Sequence, residues 1–152
     1  MTQRTIIGVI GAGRADEKTL ASAEIVGRLI AKRGAMIVCG GLGGVMEAAA
    51  KGAQAEGGMT IGILPQNTKN GANPYIDVPV ATGFNEGRNV VIVRTADVLI
   101  AVGGEYGTLS EIALALKMEK SVIGLRTWDI AGVIKAENEE DAVEKAFHAL
   151  SK

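Results

Sequence analysis

The chain has 152 residues, a length that fits one domain and leaves no room for a second core. Hydrophobic residues (47%) and charged residues (22%) stand at ordinary globular levels. The 21 glycines are about twice the usual share, have no collagen-like period, and so belong in specific turns. Lys+Arg 16 against Asp+Glu 17 leaves a net charge of −1 with no block of like charge. That balance argues against a nucleic-acid surface and against a polybasic membrane surface. An anionic ligand would have to be met locally, by backbone amides and one or two arginines.

In chain order, Arg4 followed by Thr5-Ile6-Ile7-Gly8-Val9-Ile10 imitates a signal peptide only faintly. The apolar stretch is short and runs straight into Gly11-Ala12-Gly13-Arg14, which reads as strand and loop. Strands are expected at Ile6–Ile10, Met36–Cys39, Thr60–Leu64, Val98–Val102 and Val122–Leu125, short apolar runs suited to a parallel sheet covered on both faces. Helical spacing joins Leu20, Ala23, Gly27 and Ile30, with Gly34 as the stop, and then Val45, Ala49 and Ala53, ended by Gly57-Gly58. Asn67 to Asn85 reads as a loop with a short strand at Ile76–Val80. Asn89–Thr95 has strand propensity but is assigned to helix, because Ala96-Asp97 is a poor hairpin turn before Val98. Leu109, Ile112, Ala113 and Leu116 mark the next helix. Val143, Ala146, Phe147 and Leu150 mark the last, its acidic first turn suiting the helix dipole. The expected architecture is α/β, a single doubly wound, mostly parallel sheet with helices on both faces, spanning residues 1–152.

The single cysteine, Cys39, excludes an internal disulfide and favours a reducing compartment; it reads as a buried residue ending a strand. The single histidine, His148, reads as a surface residue, and no cluster has metal-ligand spacing. No apolar run approaches the roughly 20 residues of a membrane span. A cytoplasmic protein without membrane or nucleic-acid partners is the expectation.

Glycines collect where the strands end. Ile10 precedes Gly11-Ala12-Gly13, Cys39 precedes Gly40-Gly41-Leu42-Gly43-Gly44, and Val102 precedes Gly103-Gly104-Glu105-Tyr106-Gly107-Thr108. In a doubly wound sheet ligands bind beyond the carboxyl ends of the strands, where backbone N–H groups and helix N-termini can approach an anion. Asp16 stands where the dinucleotide fingerprint needs its third glycine, and Cys39-Gly40-Gly41 replaces the acidic residue expected after the second strand. A nicotinamide-dependent dehydrogenase is therefore disfavoured. The chain also lacks G-x-x-x-x-G-K-[ST] and G-x-S-x-G, which removes a P-loop NTPase and a triad hydrolase.

Three segments together carry a resemblance: Gly40-Gly41-Leu42-Gly43-Gly44-Val45-Met46, Arg88 nine residues before Asp97, and Gly104-Glu105-Tyr106-Gly107-Thr108-Leu109-Ser110-Glu111. In order and spacing they resemble the Rossmann-like LOG superfamily (LONELY GUY phosphoribohydrolases), and within it the branch that includes the molybdenum-cofactor carrier proteins. The resemblance spans about residues 5 to 125. It implies that the strand-end loops hold the phosphate of a nucleotide monophosphate or molybdopterin-type ligand. It implies Gly41, Gly44, Gly104, Gly107 and Thr108 as the phosphate-holding positions, with Arg88 as the cation; with the rest of the strand-end segments the candidate binding set is Gly11, Gly13, Gly40, Gly41, Gly43, Gly44, Met46, Arg88, Gly103, Gly104, Glu105, Tyr106, Gly107 and Thr108. For an enzyme it implies Arg88 and Glu111 as the catalytic pair, and it implies a homodimer or homotetramer, for which Val90-Val91-Val93 offers a β-branched face. The lysine decarboxylase label attached to such proteins finds no Schiff-base lysine here.

Cleaving an N-glycosidic bond passes through an oxocarbenium-like state, so a carboxylate beside the sugar and a guanidinium on the phosphate form a coherent pair. Glu111 has a second reading. Thr108-Leu109-Ser110-Glu111 is T-x-x-E, a capping box in which Glu111 reaches back to the Thr108 N–H. Three positions depart from the phosphoribohydrolase pattern: Gly103 for proline, Glu105 for the second glycine, and Asn89 for lysine. A Glu105 carboxylate about 6 Å from a phosphate would cost roughly 3 kcal/mol per unit charge at an effective dielectric near 20. Either Glu105 turns away to pair with Arg14 or Arg126, or the ligand is not a simple monophosphate. Binding or carriage of a phosphorylated small molecule is accordingly favoured, with phosphoribohydrolase activity as the alternative. Tyr106 and Trp128 read as packing at the sheet rim or as stacking surfaces for a base or pterin.

Overall fold

The computed structural model describes residues 3–152. Seven strands form one sheet: β1 (Ile6–Ile10), β2 (Met36–Cys39), β3 (Thr60–Leu64), β4 (Val78–Ala81), β5 (Val98–Val102), β6 (Val122–Leu125) and β7 (Ile134–Lys135). Their order is β4-β3-β2-β1-β5-β6-β7, and every neighbouring pair is parallel. Five helices accompany them: α1 (Glu17–Lys32), α2 (Val45–Ala55), α3 (Arg88–Thr95), α4 (Tyr106–Lys117) and α5 (Glu139–Leu150). The five strands expected from apolar runs have the expected bounds. The strand expected at Ile76–Val80 lies at Val78–Ala81, because Asp77 is spent on β3, accepting hydrogen bonds from the Thr60 N–H (2.9 Å) and hydroxyl (3.1 Å). The two-residue β7 was not expected; it is too short and exposed to leave an apolar signature.

Alternation along the central strands divides the core between the two faces of the sheet. Ile7, Val9, Ile37, Val98, Ile100 and Val102 point to the side of α1, α2 and α5. Ile10, Val38, Leu99 and Ala101 point to the side of α3 and α4. Val93 is buried in that second cluster, so Val90, Val91 and Val93 do not form the exposed β-branched face expected for self-association. Asn89–Thr95 is helical, as the poor turn at Ala96-Asp97 requires.

Helix ends follow ordinary capping where they lie away from the glycine turns. Asp16 accepts the Thr19 N–H at 2.8 Å to start α1, and Asn138 accepts the Asp141 N–H at 2.8 Å to start α5. At the C-terminus of α3, the Lys120 ammonium donates to the carbonyls of Val93 (2.7 Å), Arg94 (2.8 Å) and Ala96 (2.5 Å), satisfying groups that the helix itself leaves open.

Helices α1 and α2 meet through glycines. A β-carbon on Gly27 would lie 2.8 Å from the Ala49 carbonyl carbon, and one on Gly52 2.9 Å from the Arg28 nitrogen. These obstacles are backbone and cannot swing aside. Gly52→Ala should therefore lower stability by about 2 kcal/mol or more, despite the roughly 1 kcal/mol that alanine gains in intrinsic helix propensity. Urea denaturation of the two proteins measures the difference.

Candidate functional site

The strands followed by glycine-rich turns, β2, β1 and β5, are adjacent at the centre of the sheet. The chain leaves β1 over one face through α1 and enters β5 from the other through α3, so the strand order reverses beside β1. A crevice opens at such a point in α/β sheets. Here it is a cavity of about 240 Å³ at the carboxyl ends of the strands.

Of the expected residues, Gly11, Gly13, Gly40, Met46, Arg88, Glu105, Gly107, Thr108 and Glu111 line this cavity. Gly41, Gly43, Gly44, Gly103, Gly104 and Tyr106 are not in its wall, and the reason is mechanical: they shape the turns behind it. Gly44 has φ 63°, and a β-carbon there would lie 2.5 Å from the Gly13 carbonyl carbon. Without one, the first turn closes onto the second, and the Val45 N–H reaches the Ala12 carbonyl at 3.0 Å. Asn73, from the long loop before β4, holds the second turn from outside. Its N–H donates to the Gly41 carbonyl (2.9 Å) and its side-chain amide to the Leu42 carbonyl (2.8 Å). The third turn is tied by Thr127, which donates to the Gly103 carbonyl at 2.5 Å, and by the Trp128 indole N–H, which donates to the Glu105 carbonyl at 3.0 Å.

Helices α2 and α4 begin at these turns without any side-chain cap, unlike α1 and α5. The Val45 N–H that opens α2 is taken by the Ala12 carbonyl, whereas the first N–H groups of α4 and its dipole remain available to an anion. Glu105 is the N-cap of α4, so Thr108 is the third residue of the helix and the capping box does not form. Glu111 lies beyond the first turn, and no hydrogen bond from the described residues reaches its carboxyl.

Glu111 is nevertheless largely buried, the residue being 7% exposed, with its remaining access through the cavity. Burial pushes its pKa up to about 8, against the opposing pull of the Arg88 charge, so the acid is mostly protonated at neutral pH. Arg88, at the start of α3, is half-buried, and its Nε has no partner. Burial draws its pKa down while Glu111 draws it up, and guanidinium stays charged throughout. The Arg88 Nη1 donates to Asn89 Oδ1 at 2.9 Å. Asn89 donates to the Ser110 hydroxyl at 3.3 Å, and Ser110 donates to the Gly107 carbonyl at 2.9 Å. Asn89, where the resembling enzymes carry lysine, thus aims the arginine and links α3 to the first turn of α4.

Glu105 lines the cavity and forms no ion pair among the described residues. Arg126, its expected partner, instead meets Glu139 (3.7 Å) and Ser22 (2.8 Å), and Arg14 supplies none. Ala12, Glu86 and Asn89 complete the polar side of the wall and were not among the expected binding residues. For Ala12 the signal was its place between two expected glycines, and for Asn89 its place beside Arg88. Glu86 gave none, because a half-turn of 3₁₀ helix at Asn85–Gly87 brings it in. Tyr106 is exposed and packs on Trp128, with ring centroids 6.0 Å apart. Cys39 is buried beneath the second turn, where burial pushes its thiol up to about 11. No helix of the described residues is long and apolar enough to cross a membrane.

A family model, the SLOG cluster4 family, matches residues 4–150. The chain belongs to that family. This bears out the resemblance to the LOG-like Rossmann superfamily, near the carrier branch. An uncharacterized protein of Archaeoglobus fulgidus is 51% identical over 138 residues, which are 90% of this chain and 91% of the relative. Among solved structures, a molybdenum cofactor binding protein from Rippkaea orientalis has a TM-score of 0.93 and 36% identity, covering 100% of both chains. A molybdenum cofactor carrier protein from Chlamydomonas reinhardtii has a TM-score of 0.90 and 35% identity, covering 99% of this chain and 100% of its own. DNA processing protein A from Helicobacter pylori shares the fold, with a TM-score of 0.73 at 20% identity over 95% of this chain and 80% of its own.

Two outcomes follow from the geometry. A methyl at Gly40 would lie 2.5 Å from Met46 Sδ and 2.9 Å from Arg88 Nη2. Gly40→Ala should therefore displace the arginine and weaken anion binding at least tenfold, read by calorimetric titration. The carboxyl of Glu111 has an ordinary pKa of 4.5 and one of about 8 in the fold. Between these values the folded chain holds more protons than the unfolded one, so this contribution to stability is full below pH 4.5 and is lost as pH rises through about 8. Denaturation curves at rising pH should show wild type falling in this window and Glu111→Gln falling less.

Proposed function

We propose that the protein binds and carries a phosphorylated cofactor of the molybdopterin class, held at the cavity beyond β1, β2 and β5. The observation that carries this reading is the convergence of the uncapped N-terminus of α4 and the Arg88 Nε, which has no partner among the described residues, on one cavity. A buried guanidinium nitrogen without a partner is costly, and an anion placed there satisfies it together with the free N–H groups. Similarity along the whole chain to proteins described as binding or carrying the molybdenum cofactor supports the ligand class.

The cavity fits such a cargo by size and by charge. Its volume of about 240 Å³ lies a little below the roughly 300–1,000 Å³ of most small-molecule pockets. The cavity is open to solvent and has room for one phosphorylated ring system. Arg88, the amides of the first turn, and the start of α4 would hold the phosphate. Glu86 and Glu105 line the same cavity and oppose a polyanion. A carrier has to release its cargo, and this opposition limits the strength of the hold.

A second reading is hydrolysis of a nucleoside 5′-monophosphate, favoured by one observation. Glu111 is not a helix cap, and its largely protonated acid faces the cavity with Arg88. In that state it would donate a proton to a leaving base rather than stabilise charge as a carboxylate.

Incubation with a panel of nucleoside monophosphates, followed by mass spectrometry of free base and ribose 5-phosphate, separates the two readings. Carriage predicts no release. Release that disappears in Glu111→Ala would make the protein a phosphoribohydrolase. For the binding reading, Arg88→Ala should lose about a hundredfold in affinity for the isolated cofactor, and Glu105→Gln should gain about tenfold. Unchanged affinity in Arg88→Ala would place the anion elsewhere.

A further inference from the structure

Glu111 has no hydrogen-bond or ion-pair partner among the described residues, although it is one of their buried polar residues. Its helix offers none, since the capping box is absent, and its neighbour Ser110 is engaged with Gly107. The groups that face it are few. Arg88 approaches from the start of α3, though no ion pair joins the two among the described residues. Cys39 stands at the end of β2, with a thiol that burial keeps protonated. Strand β1 contributes only Val9 and Ile10 to the cavity. Glu86 and Glu105 supply further carboxylates and no donor. No donor of the described residues hydrogen-bonds this carboxyl, and it faces the space that a ligand would fill.

A ligand satisfies both carboxyl oxygens at once when it presents two parallel N–H groups. The 2-amino-4-oxopyrimidine edge shared by pterins and guanine does so, through a ring N–H and an exocyclic amine separated like the N–H pair of a guanidinium. We propose that Glu111 reads this edge, so that the cavity selects rings bearing the 2-amino group over otherwise similar rings that lack it. The inference rests on the cavity being the cofactor site, and it assigns the ring to Glu111 as the anion is assigned to Arg88.

Two consequences follow. Selection depends on the amine, which an acceptor-only carboxylate receives and a ring oxygen would not supply. Binding is also linked to a proton. The free carboxyl is mostly protonated below about pH 8, while the edge binds its ionised form, so complex formation expels a proton near neutral pH and affinity rises as pH approaches that value.

Calorimetric titration near neutral pH, in buffers of differing ionisation heat, tests both consequences with two pairs of probes. One pair is pterin and lumazine, which differ at the 2-position. The other is guanosine and inosine 5′-monophosphates, which differ only in the 2-amino group. The 2-amino member of a pair should bind at least tenfold more tightly and release close to one proton. Glu111→Gln should abolish both the preference and the release. Glu111→Asp should keep the proton release while losing most of the preference, because the shorter acid is misaligned. Wild-type proton release needs no variant, so a poorly folded substitution leaves the test standing. Equal affinities within both pairs, a preference that survives Glu111→Gln, or binding without proton release overturns the inference. Binding by none of the four probes overturns it as well. Ribose 5-phosphate, compared in wild type and Arg88→Ala, reports on the anion reading alone, so either assignment can fail while the other holds.

Discussion

The site depends on backbone approaching backbone more closely than any side chain permits. Where β1, β2 and β5 end, the turn after β2 must press against the turn after β1, and Gly44 is the point of contact. That approach brings the Ala12 carbonyl onto the first N–H of α2 and so fixes where α2 begins. With the turns fixed in this way, α2 and α4 both start at the rim of the sheet where the cavity opens, α2 with its first N–H held by Ala12 and α4 without a side-chain cap. Asn73 and Thr127 engage carbonyls on the far side of the turns, which leaves N–H groups as the free backbone polarity near the cavity.

The charge arrangement is unusual for an anion site. Arg88 is the lone cationic side chain of the cavity wall, against three glutamates, of which Glu111 is mostly neutral. Attraction thus comes mainly from one guanidinium and from fixed dipoles, while two carboxylates work against it. Fixed dipoles need no reorganisation and keep their direction with pH. The Asn89–Ser110–Gly107 chain makes the guanidinium a rigid element too, and binding then pays little in side-chain entropy.

Much of this was legible in the sequence because continuous apolar runs and helix-stopping glycines report on the local chain. The five core strands were readable for that reason, and the helix at Asn89–Thr95 because Ala96-Asp97 is a poor hairpin turn. Strand β7 was not, since two exposed residues have no pattern, and β4 was displaced by a pairing between Asp77 and Thr60 that spans seventeen residues of sequence. At the site, glycine clustering located the three turns but could not separate glycines that face a ligand from those that only let the chain pass. Gly40 and Gly44 are alike in sequence, yet one lies in the wall and the other behind it.

Glu111 shows the limit most sharply, because T-x-x-E describes a cap or a cavity acid equally well. The difference is where α4 begins, and that is decided by the Trp128 indole holding the Glu105 carbonyl and by Thr127 holding Gly103. Both partners come from beyond β6, outside the motif. With the helix starting at Tyr106 rather than at Thr108, Glu111 is carried past the reach of the helix terminus and loses the N–H that a cap would use. A glutamate in that place can be satisfied by water, a proton or a ligand. The raised pKa favours the proton, and the open cavity before the carboxyl leaves room for water or a ligand.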